Sequence, residues 1–106
     1  DDMLIVNGVN VFPSQVEHVL SNIEGITLNY QIVADKKGYL DKLEIMVEVT
    51  EDMPLDSIGA LEKIKKTIQH ELLNNLYINA DIKLVEPRTI ERSIGKAVRV
   101  IDKRSL

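Results

Sequence analysis

The chain has 106 residues, 44% of them apolar and 28% charged, with a formal net charge of −4 and no cysteine. That is the balance of one globular domain with a modest core. It excludes disulfides, thiolate chemistry and cysteine-based metal sites, and an acidic domain without a basic stripe is no binder of duplex nucleic acid. No apolar run reaches the length of a membrane span and no secretory leader is visible, so a cytoplasmic location is expected. Phe12, Tyr30, Tyr39 and Tyr77 are the only aromatic residues, which leaves Ile, Leu and Val to build the core.

Leu4 to Phe12 is β-branched and apolar, interrupted by Asn7-Gly8; it reads as two short strands or one bent strand with a tight turn. A helix starts near Pro13. Ser14 and Glu17 have the spacing of a capping box, and Pro13 equally suits the first helical position. Val16, Val19, Leu20 and Ile23 form its apolar face, and Gly25 is expected to end it. Tyr30 to Ala34 is a strand and 35–38 a turn. From Leu43 to Val49 the pattern alternates, placing Leu43, Ile45, Val47 and Val49 inward and Glu44, Met46 and Glu48 outward. A long helix opens at Asp56 or Ser57 and buries Ile58, Leu61, Ile64, Ile68, Leu72 and Leu76. Ala80 to Val85 is a strand, 87–94 is irregular, and Ala97 to Ile101 is a last short strand.

This order predicts an α+β fold: a ferredoxin-like antiparallel sheet with two helices on one face and a small appended strand or hairpin. The fold class by itself assigns no function.

Candidate chemistry is sparse. His18 and His70 lie on separate helices and read as solvated. Without an i, i+4 partner or cysteine they make no zinc motif, and no metal ligand set is expected. The acidic residues sit on outward faces. Ser93-Ile94-Gly95-Lys96 resembles the end of a phosphate-binding loop, but Ile90 stands where that motif needs glycine and Ala97 where it needs Ser or Thr. Lys96 still follows a glycine in a loop, which permits close ligand approach; an ordinary surface lysine is the plain alternative. Gly8 admits the same two readings, a ligand passing the backbone or a simple turn glycine.

The two ends of the chain resemble a known family. DDMLIVNGVNVFPSQVEHVL at 1–20 is similar to the eighth core motif of acyl-adenylate-forming enzymes, and GVNVFPSQVE at 8–17 is characteristic of their phenylacetate-CoA ligase branch. IKLVEPRTIERSIGKAVRVIDKR at 82–104 resembles the tenth core motif of that branch, and YQIVADKKGYLDKLEIMVEV at 30–49 fits the middle. The resemblance implies a C-terminal domain, residues 1–106, cut from a longer ligase. The N-terminal domain that binds ATP, magnesium and an aryl acid would be absent. Such enzymes convert a carboxylate to an acyl-adenylate, then to a coenzyme A thioester, and the C-terminal domain rotates between the half-reactions.

Carried over by position, the resemblance implies that Lys96 is the adenylation lysine, Asp1 the hinge, and Gly8, with Val9 and Asn10 beside it, the lining of the coenzyme A tunnel. Arg99, Lys103 and Arg104 are candidates, on charge alone, for a phosphate of coenzyme A. Alone, the fragment should be inert and hold no cofactor. Three positions depart from the branch pattern: Asn7, where Arg is frequent, and Glu91 and Ile94, where Pro and Glu are. The fold class leaves two alternatives, a small-molecule-sensing regulatory domain and a plain protein-interaction module.

Overall fold

A computed structural model of the chain describes residues 2–54, 56–92 and 98–104. β1 (Leu4–Val6) and β2 (Val9–Val11) form a two-stranded antiparallel hairpin, with Val6 opposite Val9 across the Asn7-Gly8 turn. Next come α1 (Pro13–Leu20), the long hairpin of β3 (Ile26–Lys37) and β4 (Leu40–Val49), α2 (Ile58–Leu76), β5 (Asp81–Val85) and β6 (Val100–Asp102). The last four strands make one sheet in the order β5-β4-β3-β6.

Two helices and a sheet around one core are the expected α+β arrangement. The sheet itself is mixed. β3 and β4 pair antiparallel, whereas β4–β5 and β3–β6 are parallel. A parallel neighbour cannot be reached by a tight turn, and α2 supplies the crossover from β4 to β5. The edge beside β3 is taken by β6, the last strand and the expected appended element, while the first two strands, expected to enter the sheet, form a separate hairpin.

One face of the sheet meets the helices. Tyr30, Ile32 and Ala34 of β3 face Val47, Ile45 and Leu43 of β4, and Ile82 of β5 continues the layer. Val16, Val19 and Leu20 of α1 and Ile68 and Leu72 of α2 close over them, joined by Leu4, Val6 and Val11 of the hairpin. With so few aromatics, Tyr30 is the largest side chain sealed in this layer. Its hydroxyl donates to Glu17 Oε1 at 3.0 Å. Burial first, and then that carboxylate, push the phenol pKa up to about 12.

Several local expectations are corrected. The capping box does not form: Phe12 is the N-cap, Pro13 occupies the first turn, and no side-chain cap bond is made. Glu17 turns to Tyr30 instead. α1 ends at Leu20, because Ser21 caps it, and Gly25 lies beyond in the turn that opens β3. β3 stays extended through Lys37, leaving only Gly38 and Tyr39 to make the turn. Ile58 does not join the core of α2; it is 73% exposed at the first helical position, whereas the buried residues of this helix are Ile68 and Leu72.

The largest correction is Glu48. It lies on the sheet face opposite the helices, as its alternation implies, yet it is only 1% exposed. Residues 86–92 fold back over that face and cover it. Its carboxylate accepts the backbone N–H groups of Arg88 (2.8 Å) and Ile90 (2.9 Å) and both Nη atoms of Arg92 (2.7 and 2.8 Å).

A braced glycine turn as the candidate functional site

Asn7 and Gly8 both have positive φ, 47° and 80°. This is the two-residue hairpin turn whose twist matches the flanking strands, and Asn-Gly is the pair best suited to it. A Cβ added at Gly8 would find nothing within 4 Å. The turn therefore offers bare backbone to open space. Val9 is half-buried against the core and Asn10 is exposed opposite Ile5.

The turn is fastened to the β3–β4 hairpin by one residue pair. The Asn7 backbone N–H donates to Asp41 Oδ2 (2.8 Å), its Nδ2 donates to the Asp41 carbonyl (2.9 Å), and the Asp41 N–H donates to Asn7 Oδ1 (2.9 Å). Asp41 Oδ2 also meets Arg104 Nη1 at 3.2 Å. Arg104 donates from Nε and Nη2 to the two carboxylate oxygens of Asp102, each at 3.0 Å, and from Nη1 to the Ile5 carbonyl at 2.6 Å. The Asn7 N–H, foremost, and then Arg104 hold the Asp41 carboxyl below the usual range. Arg104 likewise brings Asp102 down to about 2.

The other sequence-predicted cations lie apart from this network. Arg99 stacks on the Tyr30 ring, 4.5 Å from its centroid, and its carbonyl accepts the Ile32 N–H at 2.7 Å. Lys103 is exposed, and its N–H donates to the Ala34 carbonyl (2.8 Å). Arg104 is the least available of the three, with its side chain 16% exposed and already paired. Asp1 and Lys96, and with Lys96 the departure at Ile94, lie outside the described residues; Glu91 is exposed. His18 and His70 sit on exposed helical surface; the His70 ring meets Asn74 Nδ2 at 2.8 Å.

Sequence reasoning missed both acidic hubs. No pattern singles out Asp41, and Glu48 reads as an outward strand residue. The signals present were Asn7 in a turn that needs a positive φ, and Arg88 and Arg92 in an otherwise irregular stretch.

A cleft of about 650 Å³ runs from Asn7 and Asp41 past Lys37 and Lys42 to His70 and Leu73 on α2. A smaller one of about 220 Å³ lies behind the turn, between Val9 and Tyr77. Among the described residues no group of three His, Asp or Glu side chains could hold a metal ion, and no helix is long and apolar enough to cross a membrane.

Together these features define a small α+β module with an exposed glycine turn braced by Asp41 and Arg104. The chain belongs to the AMP-binding enzyme C-terminal domain family, which it matches over residues 8–104. It is 38% identical, over 98% of its length, to the phenylacetate-coenzyme A ligase of Aromatoleum evansii, and spans 24% of that protein. Its fold superposes on a domain of phenylacetate-coenzyme A ligase from Bacteroides vulgatus ATCC 8482 with a TM-score of 0.90 and 30% identity, covering 99% of this chain and 95% of that one. It also matches 2-hydroxyisobutyryl-CoA ligase, solved with 2-HIB-AMP and CoA, at a TM-score of 0.87 and 33% identity, over 98% of this chain and 22% of that one. The resemblance expected from the two terminal motifs is borne out. The family match supersedes the regulatory-domain and interaction-module readings.

Proposed function

We propose that the chain is the C-terminal domain of an AMP-forming acid–coenzyme A ligase acting on phenylacetate or a related aryl acid in the cytoplasm. The observation that carries this is its end-to-end likeness to phenylacetate-coenzyme A ligases. In the complete protein a larger N-terminal domain would bind ATP and the acid. By the family resemblance, magnesium would be bound with ATP in that N-terminal domain.

Two half-reactions divide the work. In the first, the acid's carboxylate oxygen attacks the α-phosphorus of ATP and pyrophosphate leaves. Lys96, by its place in the tenth motif, brings an ammonium to oxygens that share charge as that bond forms. In the second, the thiol of coenzyme A attacks the acyl carbonyl and AMP leaves, its proton passing to solvent or base. The Gly8 turn suits this step, because an unobstructed glycine lets the pantetheine arm run against backbone. Val9 and Asn10 would flank the arm, and rotation at Asp1 would exchange the two faces. Arg99 and Lys103 remain the candidates for a phosphate of coenzyme A. Arg104 would first have to release Asp41 and Asp102, so its weight falls on the fold.

The test is Lys96→Ala in the full-length protein, with the half-reactions assayed apart. Pyrophosphate exchange dependent on ATP and phenylacetate should fall by about a hundredfold or more. Thioester formation from preformed phenylacetyl-adenylate should be largely kept. Unchanged exchange would make Lys96 a solvated loop lysine and overturn the reading. The isolated chain should form no AMP from ATP and acid.

A further inference from the structure

We infer that Asp41 is a positioning residue for the Gly8 turn, and so for the thioester-forming half-reaction alone; this rests on the reading of Gly8 just given. Asn7 and Asp41 are 34 residues apart and lie on different hairpins, yet three hydrogen bonds of 2.8–2.9 Å join them. Nothing else among the described contacts ties the tip of the β1–β2 hairpin to the large sheet so directly. A two-stranded hairpin has little stability of its own, so its direction is set by what holds it. Asn7 also adopts a left-handed φ of 47°, a conformation that costs a non-glycine residue energy unless its surroundings enforce it. The paired amide and the Asp41 carboxylate do so.

The carboxylate acts at two points of the hairpin. It takes the Asn7 N–H on the turn, and through Arg104 Nη1 it reaches the Ile5 carbonyl on β1. Asp102, at the end of β6, fixes that guanidinium from the other side. Asp41 is covered, its side chain 15% exposed, so these bonds do not compete fully with water. The turn is thus held on its protein side while Gly8 is left open on the other. A displacement of about 1 Å in a group that positions a reactant costs on the order of a hundredfold in rate. Releasing the turn should therefore slow attack by coenzyme A without touching acyl-adenylate formation.

The experiment uses the full-length protein with Asp41→Ala, Asp41→Asn and Asn7→Gly, each assayed in both half-reactions. Asn7→Gly is included because it keeps the positive φ and the Asp41–Arg104 pair and removes only the side-chain clasp. Asp41→Ala and Asn7→Gly should lower thioester formation from preformed adenylate, or raise the KM for coenzyme A, by about tenfold, with pyrophosphate exchange within about twofold of wild type. Asp41→Asn keeps an oxygen for the Asn7 N–H and should recover most of the loss. Wild-type thioester formation in both disruptive variants, or equal losses in both half-reactions, overturns the role of Asp41. Gly8→Asn separates this from the parent reading: asparagine tolerates the backbone but fills the open side. If Gly8→Asn makes thioester normally, the assignment of the Gly8 turn fails, and the role of Asp41 fails with it. If Gly8→Asn loses that step while Asp41→Ala keeps it, only the role of Asp41 is refuted.

Discussion

Glu48 and Arg92 meet in a two-point ion pair, Nη1 to Oε2 at 2.7 Å and Nη2 to Oε1 at 2.8 Å, on the sheet face that the helices leave uncovered. The same carboxylate holds the Arg88 and Ile90 N–H groups, so one side chain fixes residues 88–92 against β4. Arg88 also pairs with Glu51. Replacing the carboxylate with an amide puts an NH₂ group against donors. Glu48→Gln should therefore destabilise the chain by about 2 kcal/mol in urea unfolding.

The same site gives a pH dependence. Bonds to Arg92, and then to the Arg88 and Ile90 N–H groups, outweigh burial and bring the Glu48 carboxyl down to about 2 from an ordinary 4.5. The folded state thus binds the proton less readily than the unfolded chain. The stabilisation is present above the ordinary value and is lost as pH falls from about 4.5 toward 2. Unfolding midpoints across that interval should decline less steeply for Glu48→Gln than for wild type.

Tyr30 behaves in the opposite sense. Its folded pKa of about 12 lies above the ordinary 10, so its contribution is whole below pH 10 and declines as pH rises toward 12. Subtracting the ultraviolet titration of Tyr30→Phe from that of wild type should leave a phenolate transition near pH 12 while the chain stays folded. Removing the hydroxyl, and with it the bond to Glu17, should cost about 1 kcal/mol.

Two glycines should respond differently to alanine. At Gly25, with φ of 90°, a new Cβ would stand 2.6 Å from Met53 Cε and 3.0 Å from Ile64 Cδ1. At Gly38, with φ of 65°, it would meet nothing. Gly38→Ala should cost about 1 kcal/mol of backbone strain, and Gly25→Ala about 2–3 kcal/mol because side chains must also shift. Thermal melts of the two variants compare them.

Along α2, Ile68→Ala should cost about 3 kcal/mol because the residue is fully buried, whereas Ile58→Ala should change stability by less than about 0.5 kcal/mol. Equal effects would mean that the apolar stripe of this helix is one continuous core face.

The α2 stripe shows where periodicity succeeds and where it stops. Ile68 and Leu72 are buried as their spacing implies, but spacing cannot say where along its length a helix meets its sheet, and Ile58 falls short of that contact. Likewise, alternation in β4 gave each residue its face correctly. It could not reveal that residues 86–92 would return to cover Glu48, since that contact spans some 40 residues.

For the candidate site, Asn7-Gly8 was legible as a turn because φ preferences are local, whereas Lys96 and Gly8 are proposed as site residues on motif resemblance alone. The availability of Arg104 was not. Its positive charge reads as ligand-binding until Asp41 and Asp102 are seen to enclose it.

The sequence by itself determined the order of strands and helices, most of the core and the family, because these follow from short-range pattern and motif. Only the tertiary structure decided which strands flank the β3–β4 hairpin, that these outer pairs run parallel, and which charges are spent on holding the fold. Strand pairing and ion pairing join residues tens of positions apart, and no local preference encodes which partner will arrive.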